Sequence, residues 1–314
     1  MNEIFVNLKR FDVPKKIGGV CPDQNPGEWI SRVIRESIKL GLGKADDVTI
    51  TYFLPEALII KAREEAEKYL VSERKSLRIG CQGVFRNNVK KGGNFGAFTT
   101  NLPAAAARNL GCSWSIIGHS EERKDKFEII TAYDPMVLKE EEKLFKAIAT
   151  VNKIVNMEVI SALESGINVL ICIGEKDKER VMGNFNEQKQ KIEKVLKNQI
   201  NQSLSGIGEY LNKRKVVIGY EPIWAIGPGK KPPGAEYIGF VSSFIKKTVK
   251  ELFNTEILVV YGGSLKVENA ATIAGIETID GGLIALTNFT GDIGFEPSEL
   301  ARIIEEYRIG LRKL

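Results

Sequence analysis

Histidine, cysteine and unbalanced charge are all scarce in this chain of 314 residues. It has one histidine and four cysteines, and lysine plus arginine exceed the acidic residues by only five. The cysteines lie far apart without paired spacing, which argues against a disulfide framework and against a zinc site. Lysines are mixed with glutamates, as in residues 61–68, so the small positive excess does not indicate a nucleic-acid surface. The four cysteines are Cys21, Cys81, Cys112 and Cys172.

Long hydrophobic runs are missing as well. No apolar stretch approaches the length needed to cross a bilayer, and 43% hydrophobic with 27% charged residues is a globular composition. Residues 1–7 run into a strand pattern and lack the basic and apolar regions of a signal peptide, so we expect a cytoplasmic protein. Because no linker or repeat divides the chain, we expect one domain over residues 1–314.

Eight short apolar runs predict strands, with helix-like segments between them. Strands this apolar must be covered on both faces, so the alternation favours a parallel sheet closed into a (β/α)₈ barrel. An open doubly wound sheet is the alternative, although no Gly-x-Gly-x-x-Gly follows the first strand. The long connections 10–27 and 123–139 are predicted as loops at the C-terminal face, where barrels place functional loops. The predicted strands are 4–9, 48–54, 77–83, 114–118, 168–173, 216–220, 257–261 and 281–286. The predicted helices are 28–40, 55–71, 103–110, 139–164, 187–213, 235–253, 267–274 and 297–312.

One acidic residue ends a buried-strand pattern and leads into a glycine-rich loop. Glu221 follows the run Val-Val-Ile-Gly-Tyr at 216–220, and Pro222 ends the strand at once. Residues 227–229, Gly-Pro-Gly, give a loop with few side chains, a composition suited to a lid. These residues alone support two interpretations equally well. In the first, Glu221 is a catalytic carboxylate at the C-terminal end of a barrel strand; in the second, it is a solvated acid in an ordinary turn.

The single histidine lies at the end of the fourth predicted strand. His119 follows Gly118, and Ser120 and Glu121 suit the start of a helix. A helix N-terminus disfavours the charged imidazolium, so we expect a neutral ring that can donate a hydrogen bond to a carbonyl. A satisfied structural histidine is the alternative interpretation.

Two polar residues end the first predicted strand. Asn7 and Lys9 are two positions apart, so their side chains point to the same face of the strand. Taken alone, Lys9 is most simply a surface lysine. Together with His119 and Glu221, it would supply the cation of a proton-transfer site built from three separate strands.

A glycine pair follows the seventh predicted strand. Gly262 and Gly263 precede Ser264 and present backbone N–H groups that no side chain obstructs. Such triplets are common in plain turns. Because barrels often bind phosphates in the loops after strands seven and eight, the position of this triplet predicts a phosphate site.

Six short sequence blocks occur in the same order as in the triosephosphate isomerase family, and the chain resembles that family over nearly its whole length. The resemblance implies that Glu221 is the general base, His119 the neutral electrophile, Lys9 the cation near the developing negative charge and Asn7 a supporting polar group. Triosephosphate isomerases are the established example of this pairing of base and electrophile. The blocks are Asn-Leu-Lys at 7–9, Gly-Ala-Phe-Thr at 96–99, Ile-Gly-His-Ser-Glu at 117–121, Cys-Ile-Gly-Glu at 172–175, Tyr-Glu-Pro-Ile-Trp-Ala-Ile-Gly-Pro-Gly-Lys at 220–230 and Tyr-Gly-Gly-Ser-Leu-Lys-Val-Glu-Asn at 261–269.

The same resemblance implies a reaction and its setting. The expected activity interconverts dihydroxyacetone phosphate and glyceraldehyde 3-phosphate through an ene-diolate, as in glycolysis and gluconeogenesis, without a metal or an organic cofactor. Gly227 in the lid and Ser264 are expected to contact the phosphate of this small substrate. A homodimer is also implied, with no nucleic acid or membrane as partner.

Several positions depart from the family pattern. Where the family has a second glycine pair that holds the phosphate, this chain has Ala285 and Leu286. Glu122 replaces an arginine, and Thr-Asn at 100–101 replaces Gly-Glu in the loop that crosses to a partner subunit. The lid ends in Lys-Lys-Pro at 230–232, where Lys-Thr-Ala is usual.

These departures, and extra residues after Lys9, after Arg123 and at the C-terminus, leave two alternatives. The first is an isomerase of another short sugar phosphate, such as a four-carbon erythrulose phosphate, because Leu286 and the added loops would reshape the pocket. The second is a non-catalytic barrel with a binding or regulatory role.

Overall fold

Eight parallel strands surround a common axis and pair in sequence order, with the last strand closing against the first. The computed structural model describes residues 1–97, 99–180, 185–227, 229–288 and 293–312, and only the backbone of Phe185. The closed sheet confirms the predicted (β/α)₈ barrel. The strands are β1 Asn2–Asn7, β2 Val48–Leu54, β3 Leu77–Cys81, β4 Trp114–Ile117, β5 Asn168–Ile173, β6 Val216–Tyr220, β7 Leu258–Tyr261 and β8 Gly281–Ile284.

Alternate residues of each strand face the barrel interior and the surrounding helices. Inside the barrel, Phe5 packs edge-on against Trp114 with ring centroids 5.1 Å apart and stacks on Phe53 at 5.6 Å. Ile4 and Val6, the neighbours of Phe5, belong to the larger apolar layer between strands and helices. This interior core closes the barrel below its mouth, so the site can form only above it.

Helices lie outside the strands and account for most of the remaining described residues. None of the helices in those residues is long and apolar enough to cross a membrane. The four cysteines are buried and carry free thiols. The helices are α1 Pro26–Lys39, α2 Glu56–Glu67, α3 Ala104–Asn109, α4 Ser120–Tyr133, α5 Glu141–Glu164, α6 Phe185–Ser203, α7 Ala235–Phe253, α8 Val267–Ala274 and α9 Pro297–Leu311.

The connection after β4 is a helix, and the prediction of a loop over 123–139 is wrong. Ser120–Tyr133 forms α4, and a short 3₁₀ helix, Pro135–Leu138, leads into α5. The sequence hides this helix because it has no apolar stripe, and Arg123 is its only buried residue. The loop predicted over 10–27 is correct up to Asn25, where the N-cap of α1 begins.

Candidate active site

Three of the predicted site residues lie just beyond the C-terminal ends of strands. Lys9 follows β1 by two residues, His119 follows β4 by two, and Glu221 comes directly after β6. Because the strands are parallel and closed into a barrel, these ends meet at one mouth. The structure therefore brings residues from three non-adjacent strands to the same end of the fold.

Glu221 is held by the start of α4. Its side chain is 3% exposed, and its two carboxylate oxygens accept hydrogen bonds from the Ser120 N–H at 3.0 Å and the Ser120 hydroxyl at 3.3 Å. Its backbone N–H donates to the Ile173 carbonyl at 2.8 Å. A Cβ at Gly174 would lie 1.7 Å from the Glu221 carbonyl oxygen, so only glycine allows this close approach. Ser120, which sequence reasoning assigned only to the start of a helix, is thus a direct partner of the carboxylate.

His119 forms the N-cap of α4, as the sequence predicted for a helix start. Its Nδ1 accepts a hydrogen bond from the Glu121 N–H at 3.3 Å. An Nδ1 that accepts cannot carry a proton, so the hydrogen-bond network assigns the proton of the neutral ring to Nε2. Nε2 lies 3.1 Å from Glu221 Oε1. The imidazole therefore directs its one N–H towards the carboxylate.

Lys9 is paired with a second carboxylate of α4. Its Nζ lies 2.6 Å from Glu121 Oε1, and Glu121 Oε2 lies 3.6 Å from Nδ1 of His119. Partial burial opposes ionisation of Glu121, but the hydrogen bond and charge of Lys9 outweigh it and lower the pKa of this carboxyl. Glu121 therefore stays ionised and holds the lysine beside the histidine. No pattern in the sequence joined these two residues.

The backbone turn at Lys9 is built by amide side chains. Lys9 has a φ of +23°, which a non-glycine residue rarely adopts. Asn7 Oδ1 accepts hydrogen bonds from the Lys9 N–H and from Gln82 Nε2, both at 3.1 Å, and Gln82 also donates to the Lys9 carbonyl at 2.8 Å. Asn7 and Gln82 thus lock the conformation that carries the lysine. Gln82 is another residue that sequence reasoning missed.

A cavity of about 510 Å³ opens beside these residues. Part of its wall comes from the long loop after β1, through Phe11 and Val20. The residues that line this cavity do not include Glu221, Gly227 or Ser264. Within the described part of the chain, no group of three or more His, Cys, Asp and Glu side chains could hold a metal ion. The predicted site residues that line the cavity are Asn7, Lys9, His119 and Leu286.

The predicted phosphate residues lie at the ends of β7 and β8. Ser264 has a φ of +71°, and its carbonyl accepts a hydrogen bond from Asn269 Nδ2 at 3.1 Å. The Gly262 N–H donates to the Tyr220 carbonyl at 2.7 Å, whereas the structure gives the N–H of Gly263 and Ser264 no acceptor among the described residues. Those two N–H groups are therefore available to an anion.

Ala285 and Leu286 directly follow β8. Leu286 packs against the outer apolar core and also lines the catalytic cavity. The next backbone N–H, that of Thr287, donates to the Gly294 carbonyl at 3.1 Å. The Leu286 side chain thus adds apolar surface to the wall of the cavity that Lys9 also lines.

The two ends of the predicted lid are fastened to one buried carboxylate. Glu175 Oε1 accepts hydrogen bonds from Tyr220 at 3.0 Å, from Trp224 Nε1 at 2.7 Å and from Tyr237 at 2.8 Å. Burial raises the pKa of Glu175, and these three donors oppose the rise. Trp224 lies in the 3₁₀ helix that begins the lid, and Tyr237 lies in the first turn of α7, which follows it. The carboxylate therefore ties the entry of the lid to its exit. Gly227, between them, has a φ of +120°.

Comparison with known proteins identifies the family. The family model described as triosephosphate isomerase matches residues 35–305. The chain belongs to the triosephosphate isomerase family. It is 34% identical over 203 residues to triosephosphate isomerase of Pelodictyon phaeoclathratiforme, covering 63% of this chain and 68% of that protein. For the enzyme of Dictyoglomus thermophilum, identity is 30% over 213 residues, covering 67% and 71%.

A solved structure supports the same architecture. Triosephosphate isomerase from Bartonella henselae superposes with a TM-score of 0.64 at 22% identity, covering 98% of this chain and 99% of that one. The resemblance inferred from the six sequence blocks is thus confirmed at the level of the family. Phe98 in the second block and Pro228 in the lid lie outside the described residues. The family match includes His119 and Glu221 but begins after Asn7 and Lys9, so these two residues rest on the geometry of the mouth.

Proposed function

We propose that this protein interconverts dihydroxyacetone phosphate and glyceraldehyde 3-phosphate by proton transfer through an ene-diolate. The observation that carries the proposal is the pairing of His119 Nε2 with the Glu221 carboxylate, 3.1 Å apart at the barrel mouth, in a chain of this family. A carboxylate base and an imidazole that donates from Nε2 are the two groups such a reaction needs.

In the first half of the reaction, Glu221 removes a proton from the carbon beside the substrate carbonyl. The electron pair of the broken C–H bond forms the C=C bond of the ene-diolate, and the carbonyl oxygen takes the negative charge. The Nε2–H of His119 donates to that oxygen, and Lys9 adds a positive charge nearby. Because Glu221 is bonded to Ser120 and His119, it must move away from these partners to meet the carbon.

In the second half, the protonated Glu221 returns its proton to the neighbouring carbon. Before that, the proton of the neighbouring hydroxyl passes to the charged oxygen through Nε2 of His119, so that the negative charge moves to the second oxygen. The second oxygen then forms the new carbonyl while the electron pair of the C=C bond takes the proton from Glu221. Hydrogen has then moved between adjacent carbons with no net oxidation, so the mechanism requires neither a metal nor an organic cofactor.

The substrate phosphate is assigned to the loops after β7 and β8. The N–H groups of Gly263 and Ser264 support this assignment, because they lack acceptors among the described residues. We extend the site to the backbone of Ala285 and Leu286 and to Gly227, which the lid would bring over the phosphate.

We also propose that the whole chain, residues 1–314, acts as one domain. It assembles as a homodimer, as the resemblance implies. It works in the cytoplasm, where the triose phosphates of glycolysis and gluconeogenesis occur.

An activity assay tests the proposal. The purified chain is given each triose phosphate in turn, and a four-carbon erythrulose phosphate is assayed in parallel. We expect a kcat/KM for the trioses within about 10⁴–10⁸ M⁻¹s⁻¹, the usual range of enzymes. A triose value far below the four-carbon value would assign the site to the longer sugar, and no turnover of either would favour a non-catalytic barrel.

A further inference from the structure

Gly118, the residue before His119, is held at both of its backbone polar groups by the helix that His119 begins. The N–H of Gly118 donates to Glu122 Oε2 at 2.6 Å, and Arg123 Nε donates to the Gly118 carbonyl at 2.7 Å. Gly118 has a φ of +73°, and a Cβ there would lie 2.9 Å from Arg123 Nη2, so the position requires glycine. Two side chains of α4 thus fix the backbone from which the imidazole projects.

The two holding side chains differ in their surroundings. Arg123 is buried, donates to Asn152 Oδ1 at 2.6 Å and bonds the Cys172 carbonyl at 3.2 Å, so it joins α4 to α5 and β5. Glu122 is partly exposed and lines both the catalytic cavity and a neighbouring cavity of about 800 Å³. Of these two side chains, Glu122 is therefore the one whose protonation can change with its surroundings.

Glu122 is in turn held by a lysine and a second carboxyl group. Its Oε1 contacts Lys126 Nζ one turn further along α4, and Lys126 Nζ lies 3.0 Å from Glu158 Oε1 on α5. Glu158 Oε2 is buried and has no hydrogen-bond partner among the described residues. One lysine thus stands between two carboxyl groups, and a proton on Glu158 balances the charge of the three.

The protonation of this group follows from its surroundings. Burial and the charge of Glu122 raise the pKa of Glu158 to about 9, so Glu158 is protonated at neutral pH. Burial opposes ionisation of Glu122, but its interactions with Glu158 and Lys126 outweigh burial and lower the pKa of Glu122. Above pH 9, Glu158 loses its proton, and two carboxylates then repel each other across one lysine. The other charged residues around this group are Arg10, Glu56, Arg86, Arg123 and Asp125.

We propose that Glu122 is a positioning residue for His119, which holds the histidine backbone by accepting the Gly118 N–H while Lys126 and Glu158 hold Glu122. Glu122 acts through Gly118 and not on the substrate. At this position the family pattern has an arginine, which cannot accept that hydrogen bond. The inference rests on the proposed function for its kinetic readout. An independent readout exists because His119 is the only histidine in the chain, so the NMR signals of histidine nitrogens report this ring alone.

The test compares Glu122→Ala and Glu122→Gln with the matched control Asp125→Asn, an exposed acid of the same helix. In Glu122→Ala we expect kcat to fall about 10- to 100-fold, because small misplacements of a catalytic group have effects of this size. KM should change by less than about threefold, since substrate contacts remain. Glu122→Gln keeps one oxygen that can accept the Gly118 N–H but loses the acceptor for Lys126, so its kcat should lie between those of Glu122→Ala and the wild type.

The ¹⁵N signals of His119 should follow the same order. They should shift or broaden most in Glu122→Ala and less in Glu122→Gln, and they should match the wild type in Asp125→Asn. In addition, kcat of the wild type should decline as pH rises through about 9, the pKa of Glu158. Glu158→Gln cannot ionise, so its decline should begin at higher pH.

Each outcome decides the matter. A Glu122→Ala protein whose kcat and His119 spectrum equal those of Asp125→Asn would overturn the inference. Equal losses of kcat in Glu122→Ala and Glu122→Gln would also overturn it, as would a change in KM with no change in kcat. A shifted His119 spectrum in Glu122→Ala, with a wild type that has no isomerase activity, would reject the proposed function and leave the positioning role intact.

Discussion

The two halves of the barrel mouth are organised in opposite ways. On the side of β1, β4 and β6, the side chains of Lys9, His119 and Glu221 are each bonded to a partner from α4. On the side of β7 and β8, the backbone N–H groups of Gly263 and Ser264 have no acceptor among the described residues.

The difference matches what the proposed reaction would require of each half. Groups that act on a reacting carbon need fixed positions before the substrate arrives, because ordering them later would consume binding energy. Backbone donors are already fixed by the fold and need only an anion to complete them. The half with side-chain partners should therefore control kcat, and the other half should control substrate binding.

Replacement of the base is the strongest way to test the first half. Glu221→Gln removes the proton acceptor while keeping the shape, so kcat should fall by at least about 10²–10⁴-fold, the usual contribution of a general base. Glu221→Asp keeps the carboxylate but draws it back by one methylene, so its loss should be smaller. The measurement is steady-state kinetics with dihydroxyacetone phosphate. If both variants isomerise the substrate as fast as the wild type, Glu221 is not the base.

Removal of the cation should have the next largest effect. Lys9→Met keeps the length of the side chain and deletes its charge, so kcat should fall about 10²–10³-fold through lost stabilisation of the ene-diolate. The matched control is Lys124→Met, an exposed lysine of α4 paired with Glu128. Equal activity in the two variants would show that Lys9 serves only to pair with Glu121.

The opposite half is tested through Leu286. Leu286→Gly removes the side chain and its apolar surface from the cavity wall, so KM for the triose should change by about 10-fold or less. If the leucine narrows the phosphate site, KM falls and kcat stays within about threefold. Leu286→Ala, which keeps a Cβ, should give an intermediate value. A change in kcat larger than that in KM would contradict the division between the two halves.

Most of the barrel could be predicted from the sequence because its strands are short, apolar and evenly alternated with helices. Three strands, Val48–Leu54, Asn168–Ile173 and Val216–Tyr220, begin and end where the pattern placed them. Ser120 and Glu121 indicated the start of α4, but its length could not be predicted. The residue that it buries is a single charged one, Arg123, which donates to the Gly118 and Cys172 carbonyl groups. Hydrophobic periodicity carries no signal for such a helix.

The same limit applied to the site. The chemical groups at strand ends were visible as residue types, and the structure brings Lys9, His119 and Glu221 to one mouth. Their partners were not visible, because Glu121 and Gln82 reach Lys9 from positions 112 and 73 residues away. Pairings over such separations are set by the closure of the barrel and leave no local pattern in the sequence.

The positive φ angles at Lys9 and Ser264 carry a consequence for anyone who engineers this protein. A lysine held at φ +23° is strained by on the order of 1–3 kcal/mol, and glycine would adopt the same backbone freely. A screen that selects only for thermal stability would therefore favour glycine at position 9, which stabilises the barrel but removes the proposed catalytic cation. Stability and catalytic activity make opposite demands on this one residue, so a useful screen must select for both at once.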